Sequence, residues 1–581
     1  MKNFFSKNRV GLGLTILFSL LLAGPFTQDV LGRTYEIGPS FSLKKIGDVP
    51  WADLEPGDTI LIHYRPEPYR EKWVIDRAGT EAAPIVIRGV PGPGGEMPVI
   101  DGRDAVTSRE LDFWSEERGV INIGGSNWPN QIPAWIVIEG LDIRGARPPY
   151  RFLDDHGSQK GYSSSASSIY IIEGHHITIR NCVLHDCANG LFAAHASSDI
   201  LVEGCWIYDN GMEGSGYQHN NYTEATRITF QYNHFGPLRQ GCEGNNLKDR
   251  SAGTVIRYNW IEGGNRQLDL VDAGHESIYM APEYRSTYVY GNILIERADE
   301  GNSQIIHYGG DSGNTSHYRK GTLYLYNNTI ISRRMGNTTL LRLSTQDEEC
   351  MAVNNIVYVT APGSRLALLN RDGVLRLEHN WLKEGWRLSH EGGSIPGQVL
   401  DGGTNIVGQE PGFVDLVHDE LHLQDGSPCR DAGTALDMVD GPYRPAFQYV
   451  KHQGHEPRPS SGAMDIGAFE ATGGTPANRA PEILSFTAEP SRVDNPLTVI
   501  SFTSSISDPD GDGLTAHLDF GDGTWRQQAS GEHSYWKAGT YQAVLTVTDS
   551  HGASTSRSVT IMVEDAPPGR PQGVSIVPAE D

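Results

Sequence analysis

The sequence predicts an all-β protein: a long parallel β-helix with one coil per repeat, followed by a small second domain. Between residues 137 and 382 an alternating apolar stretch runs into Asn or Gly, and two residues later comes another apolar side chain. The Asn/Gly positions are Asn181, Gly204, Asn233, Asn259, Asn292, Asn328, Asn355 and Asn380, in steps of 23, 29, 26, 33, 36, 27 and 25 residues. Period-two alternation signals strands, and a repeat of this length signals stacked units. No helical pattern of useful length separates the copies. Coils that cannot close a core singly stack and bury a continuous apolar column. The position two after Asn/Gly (Val183, Trp206, Phe235, Ile261, Leu294, Ile330, Val357, Leu382) is apolar in every copy and is expected to point inward. The Asn residues are expected at the turn, where Asn tolerates a left-handed backbone and bonds along the stack.

In chain order, residues 1–32 read as a secretory signal. Lys2, Lys7 and Arg9 precede an apolar run from Val10 to Ala23 that is short for a bilayer, and Val30 to Gly32 offers a small-residue cleavage site. Export is expected, to the extracellular space or periplasm, with no membrane insertion. The formal charge of −25 favours solubility and divalent cations and argues against nucleic acid. A monomer is expected. The main domain spans 33–470, with coils from about 135 to 425 and polar loops at 103–134 and 145–168. Residues 471–479 read as a flexible linker, 480–564 as a second domain and 565–581 as a Pro-rich disordered tail. The six cysteines are too sparse for a disulfide scaffold. Cys182 and Cys205 hold the same repeat position in adjacent coils, as a disulfide or as two free thiols.

The Pro-Gly-Asp-Thr-Ile turn at Pro56–Ile60, the Ile-Asp-Gly at Ile100–Gly102 and the close at Asp465–Glu470 resemble secreted right-handed β-helix proteins of the pectate-lyase-like group. Residues 508–513 (Asp-Pro-Asp-Gly-Asp-Gly), 519–523 (Asp-Phe-Gly-Asp-Gly), His533–Tyr535 and Val544–Asp549 resemble a PKD domain, an immunoglobulin-like β-sandwich. The resemblance implies a spacer or a module binding carbohydrate or protein surfaces. The Asp508–Asp512 run reads as calcium ligands or as plain turns.

Stacking and alternation place His219, Lys248, Asp269 and His307 on one face, with Leu247, Leu268 and Leu270 inward and Asn246 and Gln267 outward. His195, Asn221 and Arg342 lie on neighbouring candidate strands and, with His307, are the expected substrate-binding residues. Residues Cys242 to Asn259 resemble the active-site strand of the alginate lyase and chondroitinase B family. There an acidic calcium-binding stretch precedes Lys-Ser and a strand ending Arg-Tyr-Asn. Spacing from Glu243 sets Lys248 on the catalytic Lys; spacing back from Arg257–Asn259 sets Arg250 there. The family's catalytic Arg lies one coil on, where this chain has Asp269 to Asp272, leaving Arg266 as the nearby substitute.

The resemblance implies β-elimination on an acidic, uronate-containing polysaccharide. Lys248 would be the base if cationic neighbours lowered its pKa. Arg250 or Arg266 would hold the carboxylate, and Glu243 with Asp272 could bind Ca2+ to the same end. Arg239, Lys248, Arg250, Arg257 and Arg266 outnumber Glu243, Asp249 and Glu262 here, a weakly basic island in an acidic chain. Two other readings stand beside it: hydrolysis by Asp249, Asp269 and Asp272, and a non-catalytic adhesive or polysaccharide-binding rod.

Overall fold

A computed structural model describes residues 32–298, 300–460, 462–471, 479–509, 511–550 and 552–564. The expected signal (apart from Gly32), most of the linker and the tail lie outside the described residues. The main domain is a parallel β-helix with three faces. The first face stacks Glu71–Ile75, Gly119–Ile123, the front halves of Ser167–Arg180 and Asn189–Glu203, then Asn221–Thr223, Leu247–Asp249, Leu268–Leu270, Gln304–Tyr308 and Thr338–Leu343. The second face includes Ala134–Glu139, Thr226–Gln231, Val255–Arg257, Ser286–Tyr290, Thr322–Tyr326 and Glu349–Val353. The third runs from Val99–Asp101 to Ile406–Gly408.

Gly119–Ile123 falls inside the expected 103–134 loop. Its Val120, Ile121 and Ile123 are buried, but no Asn phrase announces them. Inward files such as Leu247, Leu268, Ile306 and Leu341 stack directly above one another and are fully buried. Each such side chain contributes about 1.5–3 kcal/mol by leaving water.

The turn ladder differs from expectation by one residue. Asn233, Asn259, Asn292, Asn328, Asn355 and Asn380 do bond to each other; for example, Asn259 Nδ2 donates to Asn292 Oδ1 at 2.9 Å and Asn328 Nδ2 to Asn355 Oδ1 at 2.9 Å. The left-handed backbone belongs to the residue before each: Tyr232, Tyr258, Gly291, Asn327, Asn354 and His379. Asn181 and Gly204 are themselves left-handed, so they align with Tyr232 and not with Asn233. The ladder positions of these two coils are therefore Cys182 and Cys205. Their inward residues are Leu184 and Ile207; Val183 is only partly buried, and Trp206 points out with 37% exposure. All six cysteines are free, and the Cys182 and Cys205 thiols donate to the carbonyls of Arg180 and Glu203.

The segment from Leu436 to Arg458 covers the second face. Tyr443 stacks on Tyr288 at 3.9 Å, and the Ala446 amide donates to the Tyr258 hydroxyl. The second domain is a two-sheet β-sandwich closed on Phe486, Ile500, Phe502, Leu518, Tyr535, Leu545 and Ile561.

Candidate functional site

The first face carries one outward file. Paired backbone positions give Tyr170, Phe192, Tyr222, Lys248, Asp269, His307 and Arg342 on successive coils. Phe192 and Tyr222 stack at 5.0 Å with nearly parallel rings. Beyond Tyr222 the file becomes charged.

Lys248 is 7% exposed at its side chain and donates to two carboxylates: Asp269 Oδ2 and, at 2.7 Å, Asp311 Oδ2. Asp269 is nearly fully buried. It also accepts from Asn245 Nδ2 at 2.7 Å and His307 Nδ1 at 2.8 Å, with Arg266 Nη1 at 3.8 Å. Burial alone would raise its carboxyl. The Lys248 ammonium, the His307 hydrogen bond and Arg266 outweigh this and hold it well below the usual carboxylate range. Burial likewise opposes ionisation of Asp311, and Lys248 and Arg250 overcome it.

His307 is pulled down by burial, with Asp269 opposing. In its neutral form Nδ1–H donates to Asp269 and Nε2 faces the Ser344 hydroxyl at 2.9 Å. His219 sits beside the file. Burial, then the Lys248 charge, pushes it down to about 3. Its Nδ1 accepts the Asn245 amide at 2.9 Å, which leaves the ring proton on Nε2.

Arg250 binds Tyr222 and Asp311. Its Nε donates to the Tyr222 hydroxyl at 2.9 Å and its Nη2 to Asp311 Oδ1 at 2.8 Å. One carboxylate, Asp311, thus bridges Lys248 and Arg250 from the solvent side. Its segment is held from below by Asp272, whose Oδ1 accepts the Asp311 amide at 2.7 Å and whose Oδ2 accepts the Ser312 hydroxyl.

Behind the face lies a buried polar layer. Asp249 Oδ1 accepts from Thr223 at 2.8 Å, and Oδ2 from Thr254 at 2.6 Å and Arg319 Nη2 at 3.2 Å. Arg319 and Asp249 are both fully buried.

The structure brings Lys248, Asp269, His307, His219, Arg250 and Arg266 together, with Arg342 next on the file. No hydrogen bond or ion pair to a described residue engages Arg342, whose charge reaches Arg266 and His307. Other expected positions are corrected. Asn221 occupies an inward position in register with Leu191 and Leu247, and its Nδ2 bonds Thr223 and the Lys248 carbonyl; it does not face a substrate. Asn246 and Gln267 are also buried, bonded to Glu262 and Gly263 main chain. His195 stacks on His275 at 3.5 Å, and His275 bonds Glu224, a cluster of its own. Glu243 and Asp272 do not fit a calcium site: Glu243 is exposed, while both Asp272 oxygens already accept hydrogen bonds. Lys248 shares Asp311 with the cation Arg250, and both of its side-chain hydrogen bonds go to carboxylates.

Two participants escaped the sequence reasoning. Tyr222 stands one residue past Asn221, in the strand Asn221–Thr223. Pairing Tyr222-Thr223 with Lys248-Asp249 would have revealed it. Asp311 lies in the Gly309–Gly313 loop, where no strand period applies.

Comparison with known proteins agrees with this architecture. A family model for the right handed beta helix region matches residues 154–330, and one for the PKD domain matches residues 478–563. The PKD1 domain from the Vibrio cholerae metalloprotease PrtV is 32% identical, covering 15% of this chain and 99% of that one at a TM-score of 0.13. A carbohydrate-binding module of the beta-sandwich super family is 33% identical over 16% of this chain and 37% of that one, TM-score 0.15. This chain thus spans just over a third of that structure. The alginate lyase from Paenibacillus sp. str. FPU-7 is 13% identical, covering 56% of this chain and 92% of that one at a TM-score of 0.37. The coils belong to the right-handed parallel β-helix class, and the C-terminal segment is a PKD domain.

Proposed function

We propose that this right-handed β-helix protein with its PKD domain is a polysaccharide lyase that cleaves a uronate-containing chain by β-elimination on the Tyr222–Lys248 face. The observation that carries the reading is the pair of cations, Lys248 and Arg250, converging on one carboxylate beside a phenolic hydroxyl. In β-elimination the proton next to the uronate carboxylate leaves, its electron pair forms the ring double bond, and the bond to the glycosidic oxygen breaks. That oxygen takes a proton. Negative charge builds on the carboxylate side, where Lys248 and Arg250 stand ready-made as electrostatic stabilisers. Tyr222 is the proton-transfer group. As a phenolate bonded to the Arg250 guanidinium it takes the proton next to the carboxylate, and the phenol so formed hands that proton to the departing glycosidic oxygen, which regenerates the phenolate.

Hydrolysis finds less support. It needs one carboxylic acid kept protonated, whereas Asp269 and Asp311 are held ionised and Asp249 is buried against Arg319. The exposed Trp525 and Trp536 support a surface-binding role for the PKD domain.

The test is incubation of the full chain with a panel of polyuronates. Ultraviolet-absorbing unsaturated ends are expected, and Tyr222→Phe should lower kcat by about 10²–10⁴-fold. New reducing ends without that absorbance would establish hydrolysis instead. Binding without any product would make the protein an adhesive rod.

A further inference from the structure

We infer that Asp311 is an exchangeable internal carboxylate that occupies the seat of the substrate's uronate carboxylate. A ligand enters by replacing it on Lys248 and Arg250. The inference rests on the site taking a uronate, as proposed above, but not on any bond being broken there.

The two counter-ions of Lys248 are built differently. Asp269 is 2% exposed at its side chain and takes Lys248, Asn245 and His307 on its two oxygens, so no entering anion can reach it. Asp311 is 34% exposed, against 7% for Lys248 and 15% for Arg250. It covers both cations on the side a polymer would approach. Its oxygens are divided between them, Oδ2 to Lys248 at 2.7 Å and Oδ1 to Arg250 at 2.8 Å. That is the bridging geometry an incoming carboxylate would adopt. Without Asp311, the three cations Lys248, Arg250 and Arg266 face the two buried carboxylates Asp269 and Asp272, an excess of one positive charge that fits one monoanion.

The exchange needs only a side-chain rotation. The Asp311 and Ser312 amides donate to buried Asp272, and the Gly310 amide donates to Ser344 Oγ at 2.9 Å. Farther along, Arg319 anchors the segment through the Val271, Ser251 and Asp249 carbonyls. None of these bonds uses the Asp311 carboxylate. The backbone therefore stays in place while the side chain swings toward solvent, leaving the two cations in position. A neutral sugar cannot supply the replacing charge. The internal carboxylate thus acts as a selectivity device: it keeps the cations paired until an acidic sugar arrives.

The experiment is calorimetric titration of the full chain, as wild type, Asp311→Asn and Asp311→Ala, with glucuronate and with glucose. Both variants should bind glucuronate about tenfold more tightly than wild type, with glucose unchanged. On a polymer that the wild type cleaves, both should lower KM. No gain in glucuronate binding would overturn the proposal, and so would an equal gain for glucose. Loss of kcat at unchanged KM would make Asp311 a catalytic group. Unfolding of both variants would make it a structural clamp. Binding is read without turnover, so tighter glucuronate binding in a protein that forms no unsaturated product would sink the lyase reading and leave this one standing.

Discussion

Arg319→Met tests the buried layer on which the candidate site rests. The guanidinium is fully buried, and its donors are all engaged inside the fold. Nε bonds the Val271 carbonyl at 3.1 Å, Nη1 the Ser251 carbonyl at 2.9 Å, and Nη2 the Asp249 carbonyl and carboxylate at 3.1 and 3.2 Å. Methionine keeps most of the volume and removes every donor. Asp249 then remains a buried carboxylate with Thr223, Thr254 and the Ser251 amide as partners. Breaking a buried ion pair from one side costs about 3–5 kcal/mol. The surviving donors to Asp249 favour the lower end, and the orphaned carbonyls favour the upper. The assay is urea unfolding read by hydrogen exchange at residues 247–271, because tryptophan fluorescence would mix the β-helix with the PKD domain. Adding Asp249→Leu removes the stranded charge, so the double variant should regain part of the loss. A cost below about 1 kcal/mol for Arg319→Met would refute the reasoning, as would a double variant no more stable than the single, since breaking a real buried pair is expensive.

Three further expectations concern the coils. Ile207→Ala should cost about 2–5 kcal/mol in thermal or urea unfolding, and Trp206→Ala about 1 kcal/mol at most, because Ile207 and not Trp206 lies in the core column. Asn292→Ala should cost about 1–3 kcal/mol, more than Asn405→Ala. Asn292 Nδ2 reaches two carbonyls and the next Asn, whereas Asn405 ends the ladder. Burial pushes the Glu296 carboxyl from 4.5 up to about 7, with Ser332 and Arg334 opposing. The folded state then holds a proton that the unfolded state releases. Its contribution is complete below about pH 4.5 and is lost as pH rises through about 7. Glu296→Gln should flatten that part of the stability–pH curve; an unchanged slope would count against the assignment.

The coils and the charged file were legible in the sequence, and the reason is physical. A strand alternates with period two, and a coil returns to the same face, so Lys248 and Asp269 can be placed on neighbouring coils by counting. Counting failed wherever a residue type stood in for another. Asn181 and Gly204 share the left-handed turn with Tyr232 and Tyr258, not the ladder with Asn233, so the column slipped by one in two coils. Asn221 was expected to bind substrate, yet it points into an interior that is itself polar there, closed around Asp249 and Arg319. Polarity marks the outside only where the inside has no partners to offer.

The same limit decides the chemistry. A lysine on an open face can be a base, a carboxylate clamp or a solvated charge, and its strand position is identical in all three cases. What separates them is the partner set. For Lys248 the second partner, Asp311, comes from a loop more than sixty residues downstream that obeys no repeat. That carboxylate joins Lys248 to Arg250, and in the lyase mechanism proposed above the proton-transfer role falls to Tyr222 on the preceding coil. The strands determine where charge can stand, and the loops between them determine what that charge can do.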